Sequence, residues 1–204
     1  MTLGGINTLK TGDLIFTQIG LPDNAISAVT EGYRGARVNH MGVVVLNNYG
    51  PFVLEAFPPE VRVTSLAVHL RRSELEAARP RFIHARLGEE HQALIPSAVY
   101  YGLERRNVPY DAIYLTDELT LYCSELVVDM FKHASGGVEF FPERPISFRH
   151  SATGEIHPAW VDYYEKFGMD VPDGEPGSNP GDISRDPRLG ILRVFGDITG
   201  YSAP

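Results

Sequence analysis

The sequence predicts an α+β fold in which short strands gather ahead of the helices that cover them. Three features predict it. Two β-rich runs, Asn39 to Leu46 and Pro51 to Phe57, flank the turn-forming cluster Asn47-Asn48-Tyr49-Gly50. Further strand-like runs lie at Asp13 to Gln18, Val61 to Thr64 and Arg81 to Arg86. From Cys123 the apolar residues Leu126, Val127, Met130, Phe131 and Ala134 recur at spacings of three and four, with Ser124, Glu125, Asp129, Lys132 and His133 on the other side of the helix they describe.

Taken in order, Asp13 to Gln18 reads as a strand, and Asp23 is placed to cap a helix from Asn24 to about Thr30. Glu31 to Val38 carries two glycines and two arginines and reads as a loop that leads into His40, in a position to wall a cleft. After the hairpin come a third strand over Val61 to Thr64 and a short helix over Ser65 to Arg72, whose basic end suits its C-terminal carbonyls. Arg81 to Arg86 alternates as a strand does. Glu89 to Arg106 is helical in pattern, with Pro96 a break or kink. Trp160, Tyr163, Tyr164 and Phe167 stand at helical spacing and read as a packing stripe. Val171 to Asp182 has loop composition, and Leu189 to Phe195 reads as an edge strand returning to the body. One domain over 1–204, with 171–204 a loop-rich tail, accounts for the length and for 43% hydrophobic content without repeats.

Composition narrows the function. A net charge of −8 argues against a nucleic-acid partner, which needs a basic face. The lone cysteine permits no internal disulfide. Met1 to Lys10 lacks the basic and apolar regions of a leader, and no run is long enough to span a membrane, so a cytoplasmic protein is expected. No phosphate loop or dinucleotide fingerprint is present, and the histidines at 69, 84, 91, 133, 150 and 157 are scattered, so neither cofactor nor metal is expected. The short charge clusters Glu104-Arg105-Arg106 and Arg71-Arg72 read as solvated helix faces.

The chemistry centres on Cys123. At the first turn of a helix, unpaired N–H groups and the macrodipole favour a thiolate, the nucleophilic form. If Leu46 pairs with Pro51, Gly42 lies opposite Glu55 and His40 opposite Phe57. His40 and Glu55 then become diagonal neighbours on one face, roughly 7–8 Å apart at the backbone. A shift of one residue would part them. A carboxylate that orients a histidine, which in turn deprotonates a thiol, is the logic of a catalytic triad. Acyl transfer also needs donors for an oxyanion, and beside the Cys123 N–H the phenols of Tyr122 and Tyr110 are candidates, for that role or for the pocket. Asp111 reads as a brace for the loop before the helix.

Five segments together resemble a known family: Gly12-Asp13-Leu14-Ile15-Phe16, Asn39-His40-Met41-Gly42-Val43-Val44, Leu54-Glu55-Ala56, Pro109-Tyr110-Asp111 and Tyr122-Cys123-Ser124-Glu125-Leu126-Val127. They are similar to the permuted papain-like amidases of the YaeF/YiiX type, over roughly Thr11 to Ala134. In these NlpC-related cysteine hydrolases the histidine-bearing strands precede the cysteine-bearing helix, the reverse of papain's order. The resemblance implies a circularly permuted papain-like fold, a small antiparallel sheet or barrel packed on the cysteine helix. It maps nucleophile, base and orienting carboxylate onto Cys123, His40 and Glu55. It also implies amidase or peptidase activity, through a thioester acyl-enzyme, on a small peptide-like amide or ester such as a cell-wall fragment. Lecithin:retinol acyltransferases are similar in plan and make thiol-dependent acyl transfer the alternative, but their helix opens Asn-Cys where this chain has Tyr122-Cys123. A non-catalytic binding module that keeps the cleft is the third reading. Substrate identity and oligomeric state are left open.

Overall fold

The computed structural model describes residues 8–22, 24–76, 79–117, 119–150 and 153–203. Its centre is the expected hairpin, β2 (His40–Asn47) and β3 (Gly50–Phe57), paired in the register that sets Leu46 against Pro51 and Val43 against Leu54. β1 (Leu14–Thr17) joins the other side of β2, and β4 (Glu60–Ser65) the other side of β3. β5 (Phe82–Leu87) pairs with β1, and the tail strand β8 (Leu189–Phe195) closes that end against β5. The result is a six-stranded antiparallel sheet ordered β4-β3-β2-β1-β5-β8, open at both edges. It is a sheet and no closed barrel, and Leu189 to Phe195 is an edge strand as its pattern predicts.

Period-2 alternation sends each strand's residues to two faces, and both are buried. On one face Phe16, Met41, Val43 and Leu54 pack under α3 (Ile95–Glu104) and α4 (Cys123–Ala134), through Ala98, Leu126, Val127 and Met130. On the other, Ile15, Val44 and Val53 are covered by Leu66 and Leu70 of α2 (Leu66–Arg71), which Ser65 caps at the Val68 N–H. His40, Gly42 and Glu55 alternate onto this second face.

The helix expected from Asn24 is α1 (Ala25–Val29), capped by Asn24, whose Oδ1 accepts from the Ser27 N–H at 2.9 Å. Asp23, the cap expected from sequence, lies outside the described residues. The stretch read as one helix from Glu89 is a 3-10 segment, Glu89–Leu94, followed by α3 with Pro96 in its first turn, where its missing N–H costs nothing. The aromatic stripe sits on α5 (Pro158–Glu165), and the proline-rich stretch after it pairs β7 (Pro176–Gly177) with β6 (Arg144–Pro145) before α6 (Pro180–Ser184). Among the described residues no helix is long and apolar enough to cross a membrane.

Candidate active site

Cys123 is the first residue of α4, and the chain is led to it by a short ladder. The Leu121 N–H donates to Pro109 O and the Asp111 N–H to Leu121 O, at 3.0 and 3.1 Å. Glu125 accepts from the Tyr122 N–H at 3.2 Å, the reciprocal half of a capping box. The other half is missing, because the Tyr122 phenol turns away and accepts the Ser178 N–H at 2.9 Å. Asp111 braces the loop ahead of the helix by accepting the Ile113 N–H at 2.7 Å. Leu126, Val127 and Met130 bury into the sheet, and Ser124 and Glu125, expected on the outer side of the helix, are buried as well, so the thiol is drawn down to the start of β2. It is 5% exposed and interacts there with the backbone N–H of Met41.

His40 opens β2, one residue before Met41. Its Nε2 lies 2.6 Å from Glu55 Oε2, as the hairpin register predicts. Gly42 makes the approach possible, since a Cβ there would lie 2.4 Å from Val53 Cγ1 and 3.2 Å from Glu55 Cβ. Glu55 is fully buried and shares its charge with two further partners from α2 and its end. His69 Nδ1 lies 2.7 Å from the same Oε2, and Arg72 donates to Oε1 at 2.7 Å. The Arg72 guanidinium also stacks 3.9 Å over the Phe57 ring, which meets the His40 ring edge-on at 5.4 Å. Arg72 is thus an ion-pair partner rather than part of a solvated face, and His69 is no longer a scattered histidine. Sequence reading missed both because their partner is a strand residue brought near by the fold; the signal available was the i, i+3 spacing of His69 and Arg72 across the end of the helix that follows β4, the strand paired with that of Glu55.

Burial alone would raise the Glu55 carboxyl, but hydrogen bonds from His40 and His69 hold it well below the usual carboxylate range. An ionised Glu55 accepts the proton on His40 Nε2 and leaves the Nδ1 lone pair for chemistry. Burial holds the His40 imidazole below its ordinary value, against the pull of Glu55. Burial likewise pushes the Cys123 thiol up to about 11, and the N–H groups of Met41 and Ser124 only partly offset it. The depressed thiol expected from the helix terminus is therefore not what the site holds, because desolvation outweighs the terminus. Resting thiol and imidazole are both neutral, and no hydrogen bond joins them directly.

Nitrogen and oxygen atoms of His40, Glu55 and His69 lie within 4.8 Å of one another, a cluster that scattered sequence positions did not suggest. It does not fit a divalent cation as arranged. Both imidazoles meet one carboxylate oxygen at hydrogen-bond lengths, and the Arg72 guanidinium occupies the other oxygen.

The cleft has two lobes. Cys123, Tyr122 and Ser124 line one, and His40, Phe57 and Tyr163 line the other, which is about 540 Å³. Asn39, Tyr110, Tyr114, Trp160 and Ile26 belong to both, so the lobes adjoin. The helix wall is α1, and the loop expected to form it, Glu31 to Val38, lines neither lobe; only Thr30 and Asn39, on either side of it, do. Asn39 is spent on structure: it exchanges hydrogen bonds with Ile19 and donates to Ser27 Oγ at 3.0 Å. Tyr110 and Tyr114 meet edge-on at 6.4 Å, and burial raises both phenols above their ordinary value. Tyr114, which sequence reading did not single out, sits at φ 54°, a left-handed conformation uncommon for an aromatic residue and a frequent mark of functional loops. Trp160 and Tyr163 pack as the stripe predicts, but they also face the cleft.

The fold is similar to that of a solved structure, the metalloprotein yiiX from Escherichia coli O157:H7, with a TM-score of 0.70 at 20% identity, covering 91% of this chain and 97% of that one. No protein of curated function matches the chain at a significant level. The sequence profile of the permuted papain-like amidase enzymes, YaeF/YiiX, C92 family, matches residues 8–189, and with cysteine at the head of α4 downstream of the histidine strands the chain belongs to that family.

Proposed function

We propose that the protein hydrolyses a carboxylic amide or ester with Cys123 as nucleophile, His40 as base and Glu55 as the carboxylate that orients it. The observation that carries this reading is the 2.6 Å contact between His40 Nε2 and Glu55, which reserves Nδ1 for the thiol at the adjoining Met41 N–H. His40 Nδ1 takes the Cys123 proton as the sulfur attacks the carbonyl carbon. The C–N or C–O bond then breaks, and the imidazolium returns the proton to the leaving group. Water, deprotonated by the same nitrogen, attacks the thioester, and the thiolate leaves and recovers its proton. Because both groups rest neutral, the proton moves during attack, and the approach of substrate draws the thiol to the imidazole. The Cys123 N–H at the start of α4 is the first oxyanion donor. The Tyr110 phenol, which burial keeps protonated and which rests hydrogen-bonded to Tyr114, supplies the second by turning to the oxyanion, whereas the Tyr122 oxygen is held at the Ser178 N–H.

Turnover of p-nitrophenyl acyl esters tests the assignment. Cys123→Ala abolishes it, His40→Ala lowers kcat by about 10²-fold or more, and Tyr110→Phe lowers it far more than Tyr122→Phe. Turnover that survives Cys123→Ala would refute the reading.

A further inference from the structure

We propose that His69 is a positioning residue for the His40–Glu55 pair: its ring N–H occupies the carboxylate oxygen that orients His40 and so limits how strongly Glu55 stabilises the His40 imidazolium. The inference rests on the proposed triad for its reaction and on the buried cluster for its geometry. His69 is fully buried on α2, between Leu66 and Leu70, which cover the sheet, and its Nδ1 lies 2.7 Å from Glu55 Oε2. His40 Nε2 meets the same oxygen at 2.6 Å, and the two rings converge on it with centroids 5.3 Å apart. An ionised carboxylate only accepts, so both nitrogens carry protons. That leaves the His69 lone pair on Nε2, which is buried and has no hydrogen-bond partner among the described residues. A buried acceptor left unpaired is destabilising, and Arg72 on Oε1 already balances the Glu55 charge, so stability alone does not call for a histidine here. What the Nδ1–H adds is a competing donor. Glu55 with its Oε2 given to His40 alone would hold the imidazolium more tightly and keep the base protonated near neutral pH. With Oε2 shared, the imidazolium releases the proton taken from Cys123 to the leaving group more readily. The titratable and charged groups around His40 are Glu55 of β3, His69 of α2, Arg72 just past it and Cys123 of α4. Arg62 of β4, opposite Glu55 in the sheet, donates instead to the Phe57 and Pro58 carbonyls. Farther along the same face His84 of β5 is held by Asp13 at 2.7 Å.

Nuclear magnetic resonance of the histidine rings tests this without turnover. In the wild type, ring proton–nitrogen correlations should show His69 protonated on Nδ1, and a proton on Nε2 overturns the inference without any variant. The His40 Cε1–H signal, assigned by its loss in His40→Ala, is then titrated. In His69→Phe, which keeps a ring but no donor, the His40 midpoint should rise by about half a pH unit or more. His69→Asn, whose Nδ2–H stands where Nδ1–H stood, should hold it within about 0.2 of the wild type. The acid limb of kcat/KM for p-nitrophenyl acetate should move with the midpoint, whereas a purely structural role would lower the plateau and leave the limb in place. An unmoved midpoint in His69→Phe overturns the inference, as does an Asn variant that shifts as far as Phe. If His69→Phe does not fold, the same titration of His69→Met, a flexible donorless side chain, decides. The triad reading fails separately, through turnover that survives Cys123→Ala, and the His69 tautomer and the His40 midpoint are read independently of that result.

Discussion

At Glu55 one buried carboxylate takes hydrogen bonds from His40, His69 and Arg72, and this makes it a structural anchor as well as the orienting group of the proposed triad. Glu55→Gln removes the charge that balances Arg72 in a buried site, so denaturant unfolding should show a loss of about 2–4 kcal/mol; an unchanged midpoint would mean that Arg72 finds another partner. At Cys123 the raised thiol makes alkylation by iodoacetamide slow at pH 7 and steadily faster toward pH 10. A rate already at its plateau at pH 7 would show an ion pair with His40 in the resting protein. The sequence carried the three residue types and their chain order, but the sign of the thiol's shift depends on desolvation, which only packing reveals. Likewise Arg72 reads as an ordinary surface cation until Phe57 and Glu55 are seen beneath it.

Among the elements, the β2–β3 hairpin was readable because its turn cluster and the pairing of Leu46 with Pro51 determine every later pair. The amphipathic phase of α4 was readable for the same local reason, whereas the 3-10 turn before α3 and the two-residue strands β6 and β7 were not, since short elements carry no periodicity. Gly42 joins hairpin and site. Gly42→Ala sets a methyl 2.4 Å from Val53 Cγ1 and 2.9 Å from Leu54 O, and the strands must part to admit it. A thermal melt should show destabilisation of about 1–3 kcal/mol, with activity falling further than stability because Glu55 is moved from His40. A variant with wild-type melting and turnover would show that the hairpin relaxes freely.

For the whole molecule, the buried ionisable groups set a stability maximum with two unlike limbs. His40 is held below its ordinary value of 6.5, so below that pH the unfolded chain binds the extra proton and stability falls. Glu55 and Asp13, both lowered, add to this loss as pH drops below the carboxylate range. Burial pushes Glu125 up to about 8, and between 4.5 and 8 the folded chain holds the extra proton, so its contribution declines as pH rises. Urea midpoints across pH 4–9 should therefore fall on both sides, and Glu125→Gln should flatten the alkaline limb alone; an unchanged alkaline limb would place the titration elsewhere. The site itself is a property of the whole chain, because β1 and β2 bring His40, β3 brings Glu55, α2 brings His69, α4 brings Cys123 and α5 brings Trp160. Intact-mass analysis of the protein quenched during turnover of p-nitrophenyl octanoate tests the triad most directly. The account predicts one added octanoyl group, mapped to Cys123, absent from Cys123→Ala and formed at least about 10²-fold more slowly by His40→Ala. An adduct on another residue, or one formed by His40→Ala at the wild-type rate, would contradict it.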